Sequence, residues 1–374
     1  MNDIKLNYDD ITIIPEVVTG ISSRKECNPF DEKGMLPIFA SCMDTVVNMN
    51  NIFDFYTNQI NVILPRNYSF GVRLDFLEET KKFPGIFTAV SLAEAQKLIS
   101  KNYFKDDTPK RICIDLANGH MENLLNTIWQ LKEKYGEQLI IMSGNIANPE
   151  TYKEYEEVGC DYVRATIGSG SGCLTASNTG IYYPSFSLLE EMYNIKKDIN
   201  GKCKIIADGG IRGYRDIQKA LLFADYVMIG GLFNKAIESA GITTYGTSYW
   251  NIRGKKIMRP IKTLLTYGKV VPESKYSEVI TRIKNGTLTV WKQFHGMSTK
   301  EAQKNINNAN GNDFGRLKTS EGKTFFQKVE YSIKGWTENE IDYLRSAMSY
   351  TNSRTLEEYK NSKYVKMYKI GYNL

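Results

Sequence analysis

The stretches CKIIADGG at residues 203–210 and YVMIGG at residues 226–231 decide the fold class of this chain. Each is a short apolar run that ends in a pair of glycines. Runs without alternating polar residues are what a parallel strand needs when helices cover its sheet. The segment between them has a helical composition, so the two stretches predict a β-α-β unit whose strands point the same way.

The same pattern recurs through the first part of the 374-residue chain. Eight apolar runs begin 22 to 28 residues apart, apart from one interval of 42, and they occupy residues 36–43, 61–67, 85–90, 111–117, 139–146, 161–167, 203–210 and 226–231. Segments of helical composition fill the intervals, as in SLAEAQKLISK at residues 91–101. Eight βα units predict an α/β protein with a (β/α)8 TIM barrel and disfavour the alternative of a doubly wound sheet.

After Gly231 the barrel pattern gives way to a long polar stretch that reaches Lys323. We expect one barrel domain over residues 1–374, with residues 242–323 as an insertion that contributes an active-site flap region. The net charge is +6, and residues 242–300 alone hold 11 Lys or Arg and two Glu, which gives +9 there and −3 elsewhere. Such a basic segment, interleaved with aromatic residues, can bind a polynucleotide, cover a phosphorylated ligand, or be a solvated excursion.

Composition excludes several other classes of protein. Hydrophobic residues are 42% and charged residues 24% of the chain, which is ordinary for a globular protein. The six cysteines are scattered without a C-x-x-C pair, and there are two histidines, so a zinc ribbon or a multi-histidine metal centre is not expected. The N-terminus has no apolar signal region and no run approaches the roughly 18 apolar residues of a membrane span. We expect a cytoplasmic protein with reduced thiols.

The long interval begins with a glycine-rich loop, GSGSGCLT at residues 168–175. Its backbone could cradle a phosphate with N–H groups or hold a monovalent cation with carbonyl groups. Cys173 in this loop, above the barrel mouth, is a candidate nucleophile. The alternative is a buried, inert cysteine in a glycine turn.

Three other strand ends carry polar or glycine signals. The glycine pairs after the seventh and eighth strands match the recurring phosphate site of barrels, and Asp208 beside them could accept hydrogen bonds from ribose hydroxyls. The alternative is that these glycines only make tight turns. Asp115 and Asn118 end the fourth run and either point into the barrel mouth or cap the next helix.

Taken in order, these motifs resemble the IMP dehydrogenase/GMP reductase family along nearly the whole chain. The resemblance rests on NYDD at residues 7–10, MDTV at 43–46, DLANG at 115–119, SGN at 143–145, IGSGSGCLT at 167–175, DGG at 208–210 and GG at 230–231. The late motifs FHGMS at 294–298 and SEGKT at 320–324, with RSAMSY at 345–350, are similar to the reductase branch. The chain also leaves no room for the regulatory CBS insert typical of the dehydrogenases.

The resemblance implies reductive deamination of GMP to IMP and ammonia with NADPH, through a covalent thioimidate of Cys173 at purine C2. Thr175 and Glu321 would move protons. The implied substrate contacts are Met43, Ser171, Asp208, Gly209, Gly210, Gly230, Gly231, Gly296, Met297, Ser298, Lys318 and Gly322. The residues implied to lie near NADPH are Ser23, Arg24, Arg66, Asp115, Ala117, Ser346, Ser349 and Tyr350. Carbonyls of Gly168, Gly170 and Cys173 would line a potassium site.

Some positions depart from the family pattern. Ser169 stands where a Pro is usual, Leu174 where a Thr is usual, Ala176 where an Arg is usual and His295 where a Tyr is usual. The alternatives are therefore a reductase for a modified or deoxy guanine nucleotide, an IMP dehydrogenase without its regulatory domain, and a barrel that binds nucleic acid. Relatives suggest a homotetramer, and no membrane partner is expected.

Overall fold

The computed structural model of the chain describes residues 4–104, 106–252, 255–262, 275–310 and 322–367. Its strands are β1 (Ile11–Ile13), β2 (Ile38–Ala40), β3 (Asn61–Leu64), β4 (Ile86–Val90), β5 (Lys110–Asp115), β6 (Leu139–Ile146), β7 (Tyr162–Ala165), β8 (Lys204–Asp208), β9 (Tyr226–Ile229), β10 (Thr243–Ile252), β11 (Lys255–Lys262), β12 (Thr289–His295), β13 (Thr324–Lys328) and β14 (Tyr364–Lys366).

Helices alternate with most of these strands. They are α1 (Ile52–Thr57), α2 (Phe70–Thr80), α3 (Leu92–Ser100), α4 (Glu122–Tyr135), α5 (Thr151–Glu157), α6 (Thr175–Thr179), α7 (Ser185–Asp198), α8 (Tyr214–Ala220), α9 (Gly231–Asn234), α10 (Tyr276–Lys284), α11 (Lys300–Ala309), α12 (Ile333–Tyr350) and α13 (Leu356–Tyr359). Among the residues described, no helix is both long and apolar enough to cross a bilayer.

Strands β2 to β9 form a closed barrel of parallel strands, since β9 pairs back onto β2. Each of the eight strands overlaps one of the eight apolar runs, so the predicted TIM barrel is confirmed. None of the described residues between β2 and β9 adds a further sheet, as a regulatory insert would. The carboxyl ends of the strands therefore share one face, which is where barrel enzymes bind their substrates.

Alternation along the strands separates two apolar cores. In β2 the side chain of Phe39 lies inside the barrel, whereas Ile38 and Ala40 pack outward beneath the helices. The Phe39 ring meets the Phe87 ring edge to face at a centroid distance of 5.5 Å, and Phe87 meets Tyr162 at 5.6 Å. These large rings fill the interior, so the barrel is a packed core that supports a site at its mouth.

The two irregular intervals of the sequence have different structures. The interval between β7 and β8 holds the cysteine loop, α6 and α7. The described residues after β9 include an antiparallel sheet in the order β11-β10-β12-β13, which the sequence pattern did not predict. A small apolar cluster that includes Val279 and Val290 supports this sheet. The single-domain expectation for residues 1–374 stays a prediction.

Candidate active site

A cavity of about 260 Å³ opens at the carboxyl ends of the barrel strands. Loops that follow β2, β3, β5, β7, β8 and β9 line it, together with the residues that follow β12. Many of the residues singled out in the sequence meet there, namely Met43, Arg66, Asp115, Ala117, Gly168, Gly170, Ser171, Cys173, Thr175, Asp208, Gly209, Gly210, Gly230, Gly231, Gly296, Met297 and Ser298. Residues up to 255 positions apart in the chain thus form one wall.

Cys173 differs from the other five cysteines, which are all buried, because its side chain is only partly buried and faces the cavity. Its thiol donates a hydrogen bond to Thr175 Oγ1 at 3.3 Å. The Cys173 N–H closes a turn onto the Gly170 carbonyl at 2.9 Å. A thiol at a cavity wall beside a hydroxyl has the access that a nucleophile needs, whereas an inert structural cysteine is usually sealed in the core.

A strand-like bridge pairs the cysteine loop with Gly322, and the Lys323 N–H donates to the Gly172 carbonyl at 2.9 Å. The close approach continues at Gly296, where an added Cβ would stand 2.6 Å from the Gly172 oxygen. Only glycine allows the two backbones to come this near. The segment after β12 and the segment before β13 therefore hold the cysteine loop in place.

The glycine loops after β8 and β9 form the other side of the cavity. Gly209 has φ +113°, and a Cβ there would stand 2.6 Å from Ser169 Oγ. The Ser171 hydroxyl lies 3.1 Å from where a Cβ on Gly231 would stand. The serine hydroxyl and the exposed backbone of two glycine loops converge here, which is a suitable environment for an anionic phosphate.

A chain of charges crosses the floor of the cavity. Asp115 Oδ2 accepts from Arg66 Nε at 3.1 Å, and Asp115 Oδ1 accepts from Arg164 Nη1 at 2.8 Å. Arg164 Nη2 also pairs with Asp208 Oδ2 at 2.8 Å, and Asn145 Nδ2 donates to the same oxygen at 2.9 Å. Arg164 and Asn145 thus bind one carboxylate oxygen of Asp208, so the other oxygen can accept a hydrogen bond from a ligand.

The surroundings of Asp115 and Arg164 favour the ionised form of each side chain. Burial alone would raise the pKa of Asp115, but the guanidinium groups of Arg66 and Arg164 outweigh it and hold that pKa at about 2. Burial opposes the charge on Arg164, yet Asp208 and its other neighbours raise the pKa of Arg164 above its usual range. Both groups therefore stay charged at neutral pH.

Sequence comparison with known proteins identifies a family. The sequence model of the IMP dehydrogenase / GMP reductase domain matches residues 5–263. Proteins named GMP reductase from Streptococcus pyogenes serotype M5 (strain Manfredo) and Streptococcus suis (strain 05ZYH33) are each 30% identical to this chain, over 285 and 279 residues. These alignments cover 70% and 68% of this chain, and 85% and 83% of the relatives.

The chain belongs to the IMP dehydrogenase/GMP reductase family. It is an oxidoreductase of that family, and the resemblance carried by its motifs is confirmed. The family match ends at residue 263, whereas Met297 and Ser298 on the cavity wall lie beyond that point.

Not every site residue implied by the family resemblance lies at the cavity. Arg24 donates to Ser346 Oγ at 3.4 Å and pairs with Asp342 at 3.2 Å, so part of the implied NADPH set forms a separate cluster around α12. Members of this set that do not line the cavity are Ser23, Arg24, Ser346, Ser349 and Tyr350. Gly322 contacts the cysteine loop instead of lining the cavity. Lys318 and Glu321 lie outside the described residues.

The structure adds three candidate functional residues that the sequence motifs did not identify. Arg164 is the one charged side chain in β7, and that interruption of an apolar run was a usable signal. Asn145 lies in a motif used for the resemblance, but nothing in the sequence links it to Asp208. Gln303 of α11 lines the cavity and donates to the Met297 carbonyl at 2.7 Å, and its position gave no signal.

Proposed function

We propose that this protein reduces GMP to IMP and ammonia with NADPH, through a covalent intermediate on Cys173. One observation carries the proposal: the accessible thiol faces the same cavity as two glycine loops suited to phosphate and a carboxylate suited to ribose. Family membership and relatives named GMP reductase support this choice of nucleotide. Cavity geometry and family together favour an acid–base and nucleophilic mechanism at one end of a bound nucleotide.

Binding would proceed from the phosphate inward. The Ser171 hydroxyl and the amides of the glycine loops would hold the phosphate, with Gly209, Gly210, Gly230 and Gly231 as the contributors. Asp208, fixed by Arg164 and Asn145, would accept hydrogen bonds from the ribose hydroxyls. The purine would then lie between Cys173 and the loop that carries Met297 and Ser298.

The chemistry divides a difficult substitution into two steps. The Cys173 sulfur bonds to purine C2, and the 2-amino group leaves as ammonia once it has received a proton. The resulting thioimidate has an electrophilic C2, and breaking the C2–S bond after reduction returns the thiol and releases IMP. Thr175, whose hydroxyl is bonded to the thiol, and Glu321 would move the protons. Glu321 directly precedes Gly322, the residue paired with Cys173.

The described residues fit a nicotinamide cofactor in part. Bound NADPH would supply a hydride to purine C2. Arg66, Asp115 and Ala117 line the same cavity as Cys173, so Arg66 would face anionic groups of the cofactor and Asp115 would accept from its hydroxyls. The cluster around Arg24 and Ser346 does not line this cavity. We propose that it contacts the cofactor in the expected homotetramer.

A potassium ion is compatible with the donor type of the cysteine loop. Backbone carbonyls of Gly168, Gly170 and Cys173 are hard, neutral oxygen donors of the kind that hold monovalent cations. The Gly170 carbonyl already accepts from the Cys173 N–H, which leaves it one lone pair for an ion. An ion there would fix the turn that presents the thiol.

Two coupled assays test the proposal and separate it from its alternatives. The purified protein is incubated with GMP plus NADPH and, separately, with IMP plus NAD. We expect NADPH loss and an equal amount of ammonia only with GMP. NADH formation from IMP would instead identify a dehydrogenase. Faster turnover of a deoxy or modified guanine nucleotide would show that this nucleotide, and not GMP, is the substrate. Salt-sensitive polynucleotide binding without turnover would favour the nucleic-acid alternative.

A further inference from the structure

His295 has a side chain that neither the family motifs nor the proposed chemistry accounts for. It ends β12, directly before the Gly296 backbone that touches the cysteine loop, and is only 3% exposed. Its Nε2 lies 2.7 Å from Asp44 Oδ1. Its Nδ1 is buried without a hydrogen-bond partner among the described residues and lies 3.9 Å from Glu301 Oε2.

Asp44 connects three separate parts of the cavity wall. It follows Met43, which lines the cavity from the loop after β2. Its second oxygen, Oδ2, accepts from Asn305 Nδ2 of α11 at 3.1 Å. With His295 on Oδ1, one carboxylate therefore joins the β2 loop, the end of β12 and helix α11.

Helix α11 in turn holds the loop proposed to contact the purine. Gln303 donates to the Met297 carbonyl at 2.7 Å, and Thr299 caps the helix by accepting from the Ala302 N–H. Glu301 accepts from Gln293 of β12 at 3.0 Å. Movement of α11 would therefore be passed directly to residues 296–298.

The protonation state of His295 decides whether its imidazole can donate to one carboxylate or to two. The charged groups that act on the imidazole are Asp44 from the β2 loop and Glu301 from α11. From β13, Thr324 stands opposite His295, while Lys292 on β12 itself donates to the Ser239 carbonyl. Burial lowers the pKa of His295, but the hydrogen bond and the charge of Asp44, together with Glu301, raise it above the ordinary value.

The imidazolium form places one N–H toward Asp44 and the other toward Glu301. The neutral form, with its proton on Nε2, keeps the bond to Asp44 but presents a lone pair at Nδ1 to a carboxylate. Because the pKa of His295 is raised in the fold, the second tether is present at low pH and is lost as the pH rises through that pKa.

We propose that His295 is a positioning residue whose imidazolium, clamped between Asp44 and Glu301, fixes α11 and residues 296–298 against the purine end of the cavity. It acts through these neighbours, since its own side chain does not line the cavity. The clamp rests on the proposed function only for the identity of the nucleotide. Nucleotide affinity falls when His295 loses its proton, whereas the thiol chemistry at Cys173 is not directly affected.

The chain offers an activity-independent test, because it has two histidines. Imidazole NMR signals of the full chain are titrated, with His120→Gln assigning the peaks. We expect His295 to titrate above pH 6.5 and His120 below it, since burial lowers the pKa of His120. In Glu301→Gln, an exposed and structurally mild change, the His295 pKa should fall while that of His120 stays. An unchanged His295 pKa in Glu301→Gln overturns the clamp, whether or not the protein reduces GMP.

The functional half of the test compares GMP affinity with turnover. Calorimetric GMP binding and KM for GMP are measured from about pH 6 to pH 9 for the wild type, His295→Gln and the control His120→Gln. In the wild type and the control we expect KM and Kd to rise on the order of tenfold through the measured His295 pKa, with a smaller change in kcat. In His295→Gln, GMP binding should be weak, and KM and Kd should both be independent of pH. A pH dependence that survives in His295→Gln overturns the proposal, whereas absence of GMP binding at every pH in the wild type overturns the proposed function.

Discussion

Replacing Arg164 with Met should have the largest effect of any single change in the cavity floor. The guanidinium pairs with Asp115 Oδ1 at 2.8 Å and with Asp208 Oδ2 at 2.8 Å, and both carboxylates are largely buried. Removing one partner of a buried ion pair costs about 3–5 kcal/mol, because it leaves an uncompensated charge. Met fills a similar volume, so the free energy of unfolding should fall by about 3–5 kcal/mol without a large cavity term.

The pH dependence of this loss follows from Asp115. Its pKa is held at about 2 in the fold, against a value near 3.9 in an unfolded chain, and this shift contributes about 2–3 kcal/mol. For a carboxylate with a lowered pKa, the contribution is present above the unfolded pKa and is lost as the pH falls through the folded one. Arg164→Met removes part of the cause of that shift. The stability difference between wild type and variant should therefore be largest near neutral pH and shrink as the pH falls below about 4.

Urea unfolding at several pH values, with GMP binding measured alongside, provides the assay. Arg164→Met should also weaken GMP binding, because Asp208 loses the group that orients it. Arg212→Met is the matched control, since Arg212 is 73% exposed and its pair with Asp9 should contribute no more than about 1 kcal/mol. Equal unfolding midpoints for wild type and Arg164→Met at neutral pH would refute the account of the cavity floor.

Three further changes probe the rest of the site. Cys173→Ala should retain GMP binding by calorimetry yet lose turnover, and substantial residual turnover would rule out the covalent mechanism. Gly209→Ala must adopt φ +113° and place its Cβ 2.6 Å from Ser169 Oγ, so its GMP Kd should rise on the order of tenfold, and an unchanged Kd would contradict the phosphate assignment. Gln303→Leu, which loses the bond to Met297, should raise KM for GMP several-fold with little change in stability, and an unchanged KM would show that α11 does not position this loop.

The barrel could be predicted from sequence because its strands are buried on both faces. Residues 139–142 form an unbroken apolar run that opens β6, which extends over Leu139–Ile146. The glycine loops and Cys173 could be placed at the mouth for a related reason, since each directly follows such a run and parallel strand ends share one face.

Contacts between distant segments could not be predicted in the same way. Asp44 and His295 are 251 positions apart, and no local sequence pattern predicts the hydrogen bond between them. Arg164 interrupts an apolar run, which marks it as unusual, but its two carboxylate partners come from other strands. The sheet β10–β13 was missed because its strands lie in a segment whose polar composition resembles a loop.

The central claim is that Cys173 performs reductive deamination of GMP. The most direct measurement follows NADPH oxidation and ammonia release after GMP is added to wild type and to Cys173→Ala under identical conditions. The account predicts equal molar amounts of oxidised cofactor and ammonia from the wild type and neither from the variant. NADPH oxidation without ammonia, or equal rates from both proteins, would contradict it.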